Sequence, residues 1–285
     1  MENITQELAK MRARSLSDAE TKWFEDRLEL IKGKKSGRDL FMTYSLIASK
    51  IPNTQFLSEK GESSEVADYL ELHKATLVEL CRIDLLANLL TTDMDIFSPK
   101  VSRIIEVADM GELTTFLKFL ILLPNPEDYK FTAVEALRTN MTTVFNAIAL
   151  NNPYPARYFN EQQWNQMYLK TAFMQGDLSA IHNIDQRANV ELTRIISDYA
   201  HERWAASREI DPYFWRPVAS FLNAELLKDM ERLLRSPNPM ENRAGALCCH
   251  ASDYLGAKAL LEQHPSLRDA IIQGKIRWDT LKETP

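Results

Sequence analysis

Glycine is scarce in this chain. There are 8 glycines and 12 prolines in 285 residues, where the two together usually make up about 12%. Tight hairpins depend on glycine at positive φ, so few of them are expected and the composition leans towards helix. Cysteine is scarcer still. Cys81 and the neighbours Cys248 and Cys249 form neither a disulfide framework nor a zinc-binding spacing, and a reducing cytosol is the compartment expected. Positive charge is in deficit, with a formal net charge of −6 and no basic stripe, which argues against a nucleic-acid partner. Long apolar runs are missing as well. The most apolar one, LTTFLKFLILLP at 113–124, is interrupted by Lys118 and is about half the length that crosses a bilayer. The opening MENITQELAKMRARSLSDAE has no signal-peptide core. The expectation is a cytoplasmic protein with no direct membrane span.

What is present is helical period. Apolar residues recur every three or four positions, and no run alternates as a strand does. Helices are expected at about 17–33, 38–50, 64–74, 76–91, 98–108, 111–123, 128–150, 161–175, 189–208, 212–222, 223–235, 239–250, 254–263 and 266–273. Ser17 and Asn189 supply start signals. The breaks are rich in Pro and Asn: SPK at 98–100, LPNPED at 123–128, NNPYP at 151–155 and RSPNPMEN at 235–242. The polar stretch 58–64 reads as a surface loop. Short helices joined by short connections predict an all-α fold, an irregular α-solenoid or layered helical array. The whole of 1–285 is expected to be one domain, HEAT-like over 223–285.

Several polar side chains fall on apolar helix faces. At about 100° per residue, Leu192, Ile195, Ile196, Tyr199 and Ala206 share a stripe on 189–208, with Arg203 in its middle. On 128–150 the stripe is Phe131, Val134, Leu137, Met141, Phe145 and Ile148, and Arg138 lies within it. In EQQWNQMYLKTAF at 161–173, Asn165, Gln166 and Lys170 sit among apolar residues on every side. Buried charges and amides need partners. Either they pair inside the protein, with Glu135, Asp185 and Glu202 as candidate carboxylates, or they converge on the floor of a pocket for a polar or anionic small molecule. Trp164, Trp204 and Trp215 read as core, and Tyr154, Tyr158 and Phe159 could pack over a cavity.

Motif chemistry is sparse. HERWA at 201–205 has Ala205 where a zinc-protease helix needs its second histidine. Asp198 and His201 have the spacing of one half of a di-iron motif, without the other half. No phosphate-cradling loop, dinucleotide fingerprint or nucleophile elbow occurs, so neither a metal nor a cofactor is expected. His201, Glu202 and Lys170 are the candidates for proton transfer.

The same central strings resemble a known family. ALRTNMTTVFNAIALNNPYPARYFNEQQWNQMYLKTAFM at 136–174 and DQRANVELTRIISDYAHERWAASREIDPYFWRPV at 185–218 look like the signature blocks of the EboA family. LFMTYSLIASK at 40–50 and ADMGELTTFLKFLILLP at 108–124 resemble its earlier blocks. The likeness covers about 15–275, with 128–218 as its core. It implies a non-membrane helper in bacterial secondary-metabolite biosynthesis or traffic, handling a small molecule such as an isoprenoid- or cyclitol-like compound. Proteins of the same gene cluster are the implied partners. The family supplies no catalytic residues. It sets Asn140, Tyr154, Trp164, Gln166, Asp185, Arg187 and Trp204 beside Arg138, Asn165, Lys170 and Arg203 as ligand-binding candidates. Gln186 stands where the family pattern has a second arginine. The leading expectation is a metabolite carrier with a polar-floored pocket between the central helices. The alternatives are a cofactor-independent enzyme and a helical scaffold that docks pathway partners.

Overall fold

The computed structural model describes residues 2–58 and 64–281, so 59–63 of the expected surface loop lie outside the described residues. Among the described residues there is no β-strand, only an isolated antiparallel bridge between Gln55 and Thr76. The fold is all-α. The chain divides into two compact units, Met1–Tyr154 and Pro155–Pro285, and the division falls inside NNPYP.

The first unit runs through α1 (Glu2–Ser15), α2 (Asp18–Lys34), α3 (Gly37–Lys50), α4 (Glu65–Leu72), α5 (Leu77–Thr92), α6 (Met94–Glu106), α7 (Met110–Phe119), α8 (Lys130–Ala136) and α9 (Thr142–Ala149). Its hub is α5, against which α1, α2, α3, α6 and α7 all pack. The sequence LVELCRIDLLANLL is apolar all round, and α5 is buried on every side from Leu77 to Leu90. Each buried leucine there contributes about 1.5–3 kcal/mol. Thr76 caps α5 with its hydroxyl while Glu79 reaches back to the Thr76 amide. This reciprocal capping satisfies two of the backbone donors a helix start leaves open. Ser17–Glu20 on α2 and Asp109–Glu112 on α7 do the same.

Three helix expectations change. The chain is already helical before Ser17, as α1. Helix α6 starts at Met94, on an Asp93 cap, and runs through Pro99; SPK therefore does not break it. The segment 128–150 is not one helix. Pro126–Tyr129 is a 3-10 turn, α8 ends at Ala136 and α9 starts at Thr142. Thr139 Oγ1 accepts the Met141 amide at 3.1 Å, a local bond that competes with helix continuation.

The second unit holds α10 (Tyr154–Tyr158), whose first residue precedes the division, α11 (Glu161–Phe173), α12 (Ile184–Arg187) and α13 (Val190–Ala205). A 3-10 helix spans Pro212–Phe221, followed by α14 (Leu227–Leu234), α15 (Pro239–Ala251), α16 (Leu255–Glu262) and α17 (Pro265–Ile272). Helix α15 packs on the 3-10 segment and on α14, α16 and α17. Its Cys248 and Cys249 are buried, and burial pushes both thiols well above the usual cysteine value, Cys249 up to about 12. They behave as small core residues.

Candidate functional site

The amides that crowd α11 and the start of α13 answer to each other. Asn165 is buried, and its Nδ2 donates to Asn189 Oδ1 at 3.1 Å while Asn189 Nδ2 donates to Asn165 Oδ1 at 2.9 Å. Asn189 Oδ1 also caps α13 by accepting the Leu192 amide at 2.8 Å. The pair therefore fixes the beginning of α13 against the middle of α11. Gln166, expected among apolar neighbours, is exposed. Lys170 is half-buried, and that burial lowers its ammonium pKa.

Arg187 works on backbone. Its Nη1 donates to the carbonyls of Pro155 at 3.2 Å and Ala156 at 2.5 Å, and its Nη2 to those of Phe159 at 2.9 Å and Asn160 at 3.3 Å. The Pro155 and Asn160 carbonyls also accept the Phe159 and Trp164 amides, at 3.1 and 3.0 Å, so the guanidinium clamps α10 to the start of α11. The guanidinium lies 4.8 Å from the ring centre of Trp164, a buried indole whose Nε1 has no hydrogen-bond partner among the described residues. Asp185 is held by a two-pronged pair with Arg216, at 2.8 and 2.6 Å, and Arg216 also donates to the Tyr213 hydroxyl.

Three expected site residues belong to the first unit. Arg138 falls on the stripe predicted to be buried, but the break after Ala136 turns it outward. Its side chain is 75% exposed and pairs with Glu135 at 2.7 Å. Phe131 and Met141 of the same stripe are exposed too. Asn140 is exposed in the turn. Tyr154 is buried, and its hydroxyl donates to the Pro126 carbonyl at 2.9 Å.

Arg203 does line a cavity. It leaves the last turn of α13, and its Nε and Nη2 donate to the Glu209 carbonyl at 3.1 and 2.6 Å. Its guanidinium lies 6.0 Å from the Tyr199 ring centre. The cleft beside it has a volume of about 780 Å³ and is walled by Ala172, Leu178, Tyr199, Ile210 and Met240. Arg208, Glu209 and Asp211 share its lining. The arrangement combines an apolar wall with two cations and two carboxylates, which suits an amphiphilic or zwitterionic molecule more than a bare anion.

A second constellation lies at the next helix face. His201 Nε2 is 2.6 Å from Asp229 Oδ1, and Ser197 Oγ donates to Asp229 Oδ2 at 2.7 Å. Asp229 is buried while the His201 side chain is 60% exposed. Trp204 beside it stacks on Trp215, with ring centres 5.5 Å apart, and carries the Arg232 guanidinium at 4.2 Å. His201, Trp204, Lys228 and Arg232 line a shallow cleft of about 520 Å³. Helix geometry separates Glu202 from this grouping, so the partner of His201 is Asp229. Asp229 is not legible as a site residue in the sequence, because its partner His201 is 28 positions away, beyond any helical spacing.

The match to known proteins is at the level of family. The model of the metabolite traffic protein EboA matches residues 4–219. The chain belongs to the EboA family. The matched span takes in all of α2–α13 and most of the 3-10 segment, whereas α14–α17 follow it; Asp229 and Arg232 therefore lie outside the EboA match. Neither a curated protein nor a solved structure matches the chain. Among the described residues no helix is long and apolar enough to cross a membrane.

Proposed function

We propose that this EboA-family chain serves metabolite traffic by holding a small molecule in the cleft at the C-terminal end of α13. The observation that carries the reading is Arg203, anchored through one side of its guanidinium to the Glu209 carbonyl in a cavity with an apolar wall. Such a fixed arginine orients one polar group of a ligand whose remainder buries apolar surface. Arg208 provides the second charge. Arg187 ties α12 to α10 with Trp164 packed against its guanidinium, Asn165 ties α11 to the start of α13, and Asp185 ties α12 to the 3-10 segment through Arg216. The test is mass spectrometry of small molecules released from protein purified from its own host, beside an Arg203→Met/Arg208→Met variant that still folds. A compound released by the wild type and missing from the variant supports the carrier. Two empty preparations would sink it.

A second reading is favoured by the His201–Asp229 pair. An exposed imidazole oriented by a buried carboxylate is equipped for proton transfer, with no cofactor, on a molecule resting against Trp204 and Arg232. Conversion of a pathway intermediate that is lost in His201→Gln would select this enzyme reading over the carrier.

A further inference from the structure

The first unit contains a buried arginine whose hydrogen bonds are mostly unmade. Arg82 projects from α5, and its side chain is 6% exposed. Only its Nε makes a hydrogen bond among the described residues, to the Tyr44 carbonyl at 3.3 Å. Glu112 Oε1 is 3.6 Å from Nη2, too far for a hydrogen bond. The Tyr44 ring centre is 5.3 Å from the guanidinium carbon. Both terminal nitrogens are thus left with donors to spare. Unlike Nη1 of Arg12, neither is sealed in the core without a partner; both stay open to solvent and to whatever enters beside them.

Those nitrogens face a cleft of about 800 Å³ that Arg82 itself lines. The cleft is polar, with Thr76, Thr115 and Asn53 in its lining, and it gathers Lys74, Lys118 and His73 beside Arg82. Its two carboxylates are already engaged. Glu79 accepts the Thr76 amide through Oε2 at 2.9 Å and Lys118 Nζ through Oε1 at 2.9 Å. Asp109 caps α7 by accepting the Glu112 amide at 2.8 Å, and Glu112 returns the bond through Oε2 at 3.1 Å. The acids close helix starts while Arg82 and the lysines keep donors open. Three cations, Arg82, Lys74 and Lys118, share the lining with the carboxylates of Glu79 and Asp109, so open donors, more than an excess of charge, are what the cleft offers.

We propose that this cleft binds the oxyanion end, carboxylate or phosphate, of a small hydrophilic metabolite. Arg82 presents its two terminal nitrogens as a fork, the geometry that matches either group. Lys118 and Lys74 flank it as point charges. The ligand differs in kind from the one suited to the α13 cleft, because the lining here offers hydroxyls and an amide where that one offers an apolar wall. The two sites lie in different units and stand or fall separately.

Calorimetric titration of the full chain with succinate, and separately with inorganic phosphate, tests this. Wild type should give saturable one-site binding with at least one of the two, and whichever binds names the headgroup. Arg82→Lys keeps the buried charge but loses the fork and should weaken binding by about tenfold or more. Lys118→Met and Lys74→Met, which leave Arg82 in place, should each weaken it by a smaller factor. Arg203→Met should leave it unchanged. Should Arg82→Lys fail to fold, the two lysine variants still decide the matter, since unaltered affinity in both overturns the site. No saturable heat with either anion, or binding that follows Arg203 and not Lys118, overturns it as well.

Discussion

Arg12 of α1 and Asp84 of α5 meet at 2.6 Å, with side chains 4% and 0% exposed. Arg12 also reaches Glu25 at 2.6 Å and lies 4.2 Å from the Phe24 ring centre, while Asn88 donates to the other Asp84 oxygen at 2.7 Å. This cluster joins α1, α2 and α5 at the centre of the first unit. Removing one partner strands a charge in the core, so Arg12→Met or Asp84→Leu alone should cost about 3–5 kcal/mol. The double variant should cost less than the sum of the two, and urea unfolding of all three at neutral pH measures the difference.

Acid should act on the same cluster in a defined direction. Burial pushes the Asp84 carboxyl up to about 6, against the pull of Arg12 and the Asn88 bond, from an ordinary value of 3.8. For Arg12, burial pulls the pKa down, but Asp84 and Glu25 outweigh it and the net shift is upward. A carboxyl raised in the folded state binds its proton more tightly there than in the unfolded chain. Its contribution is therefore complete below pH 4 and lost as pH rises through about 6. Stability from this group falls across that window by about 1.4 kcal/mol for each pH unit between the unfolded and folded values. Unfolding free energies of wild type and Asp84→Asn between pH 4 and 7 should differ in slope in this sense; parallel curves would refute it.

Asn165 and Asn189 offer a milder test. Asn165→Leu removes one half of an exchanged amide pair and leaves Asn189 short of a partner at the α13 start. The expected cost is about 1–3 kcal/mol. Asn189→Ala should cost at least as much, because it removes the helix cap as well. Thermal melting of both variants checks the order.

Arg138 supplies the opposite case. An arginine that is largely in solvent and paired, among the described residues, with Glu135 three positions before it contributes little. Arg138→Ala should shift stability by no more than about 0.5 kcal/mol. A loss of several kcal/mol would restore the buried position that the helical stripe suggested.

The sequence revealed local features well and distant ones poorly. Ser17 and Asn189 cap α2 and α13 as their spacing indicated, and Leu192 and Ile196 occupy the buried face that their azimuth assigned. These depend on neighbours within a turn or two. The stripe arithmetic failed at Arg138, because it took 128–150 as one rotation and Thr139 interrupts it. The charges that are truly internal, Arg82 and Asp84, sit in a helix apolar on every side, where no face exists to be violated. Arg12 is 72 residues from Asp84, and only tertiary packing brings the two together.

Asp229 should govern the proton on His201. If its carboxylate accepts a hydrogen bond from Nε2, the neutral imidazole is held with its proton on that nitrogen and its Nδ1 lone pair directed away from Asp229. Nitrogen-15 spectra of the histidine rings report the tautomer directly. In the wild type His201 should appear as the Nε2-protonated form when neutral, and Asp229→Ala should give the mixture seen for a free imidazole. The same substitution strands Ser197, whose hydroxyl bonds the other oxygen, so a stability loss of about 1–2 kcal/mol should accompany it. Ser197→Ala separates the two effects: it should lower stability but leave the His201 tautomer as it is. A wild-type His201 already in the free-imidazole mixture would mean that the 2.6 Å approach does not orient the ring, and the proton-transfer reading would lose its only structural support.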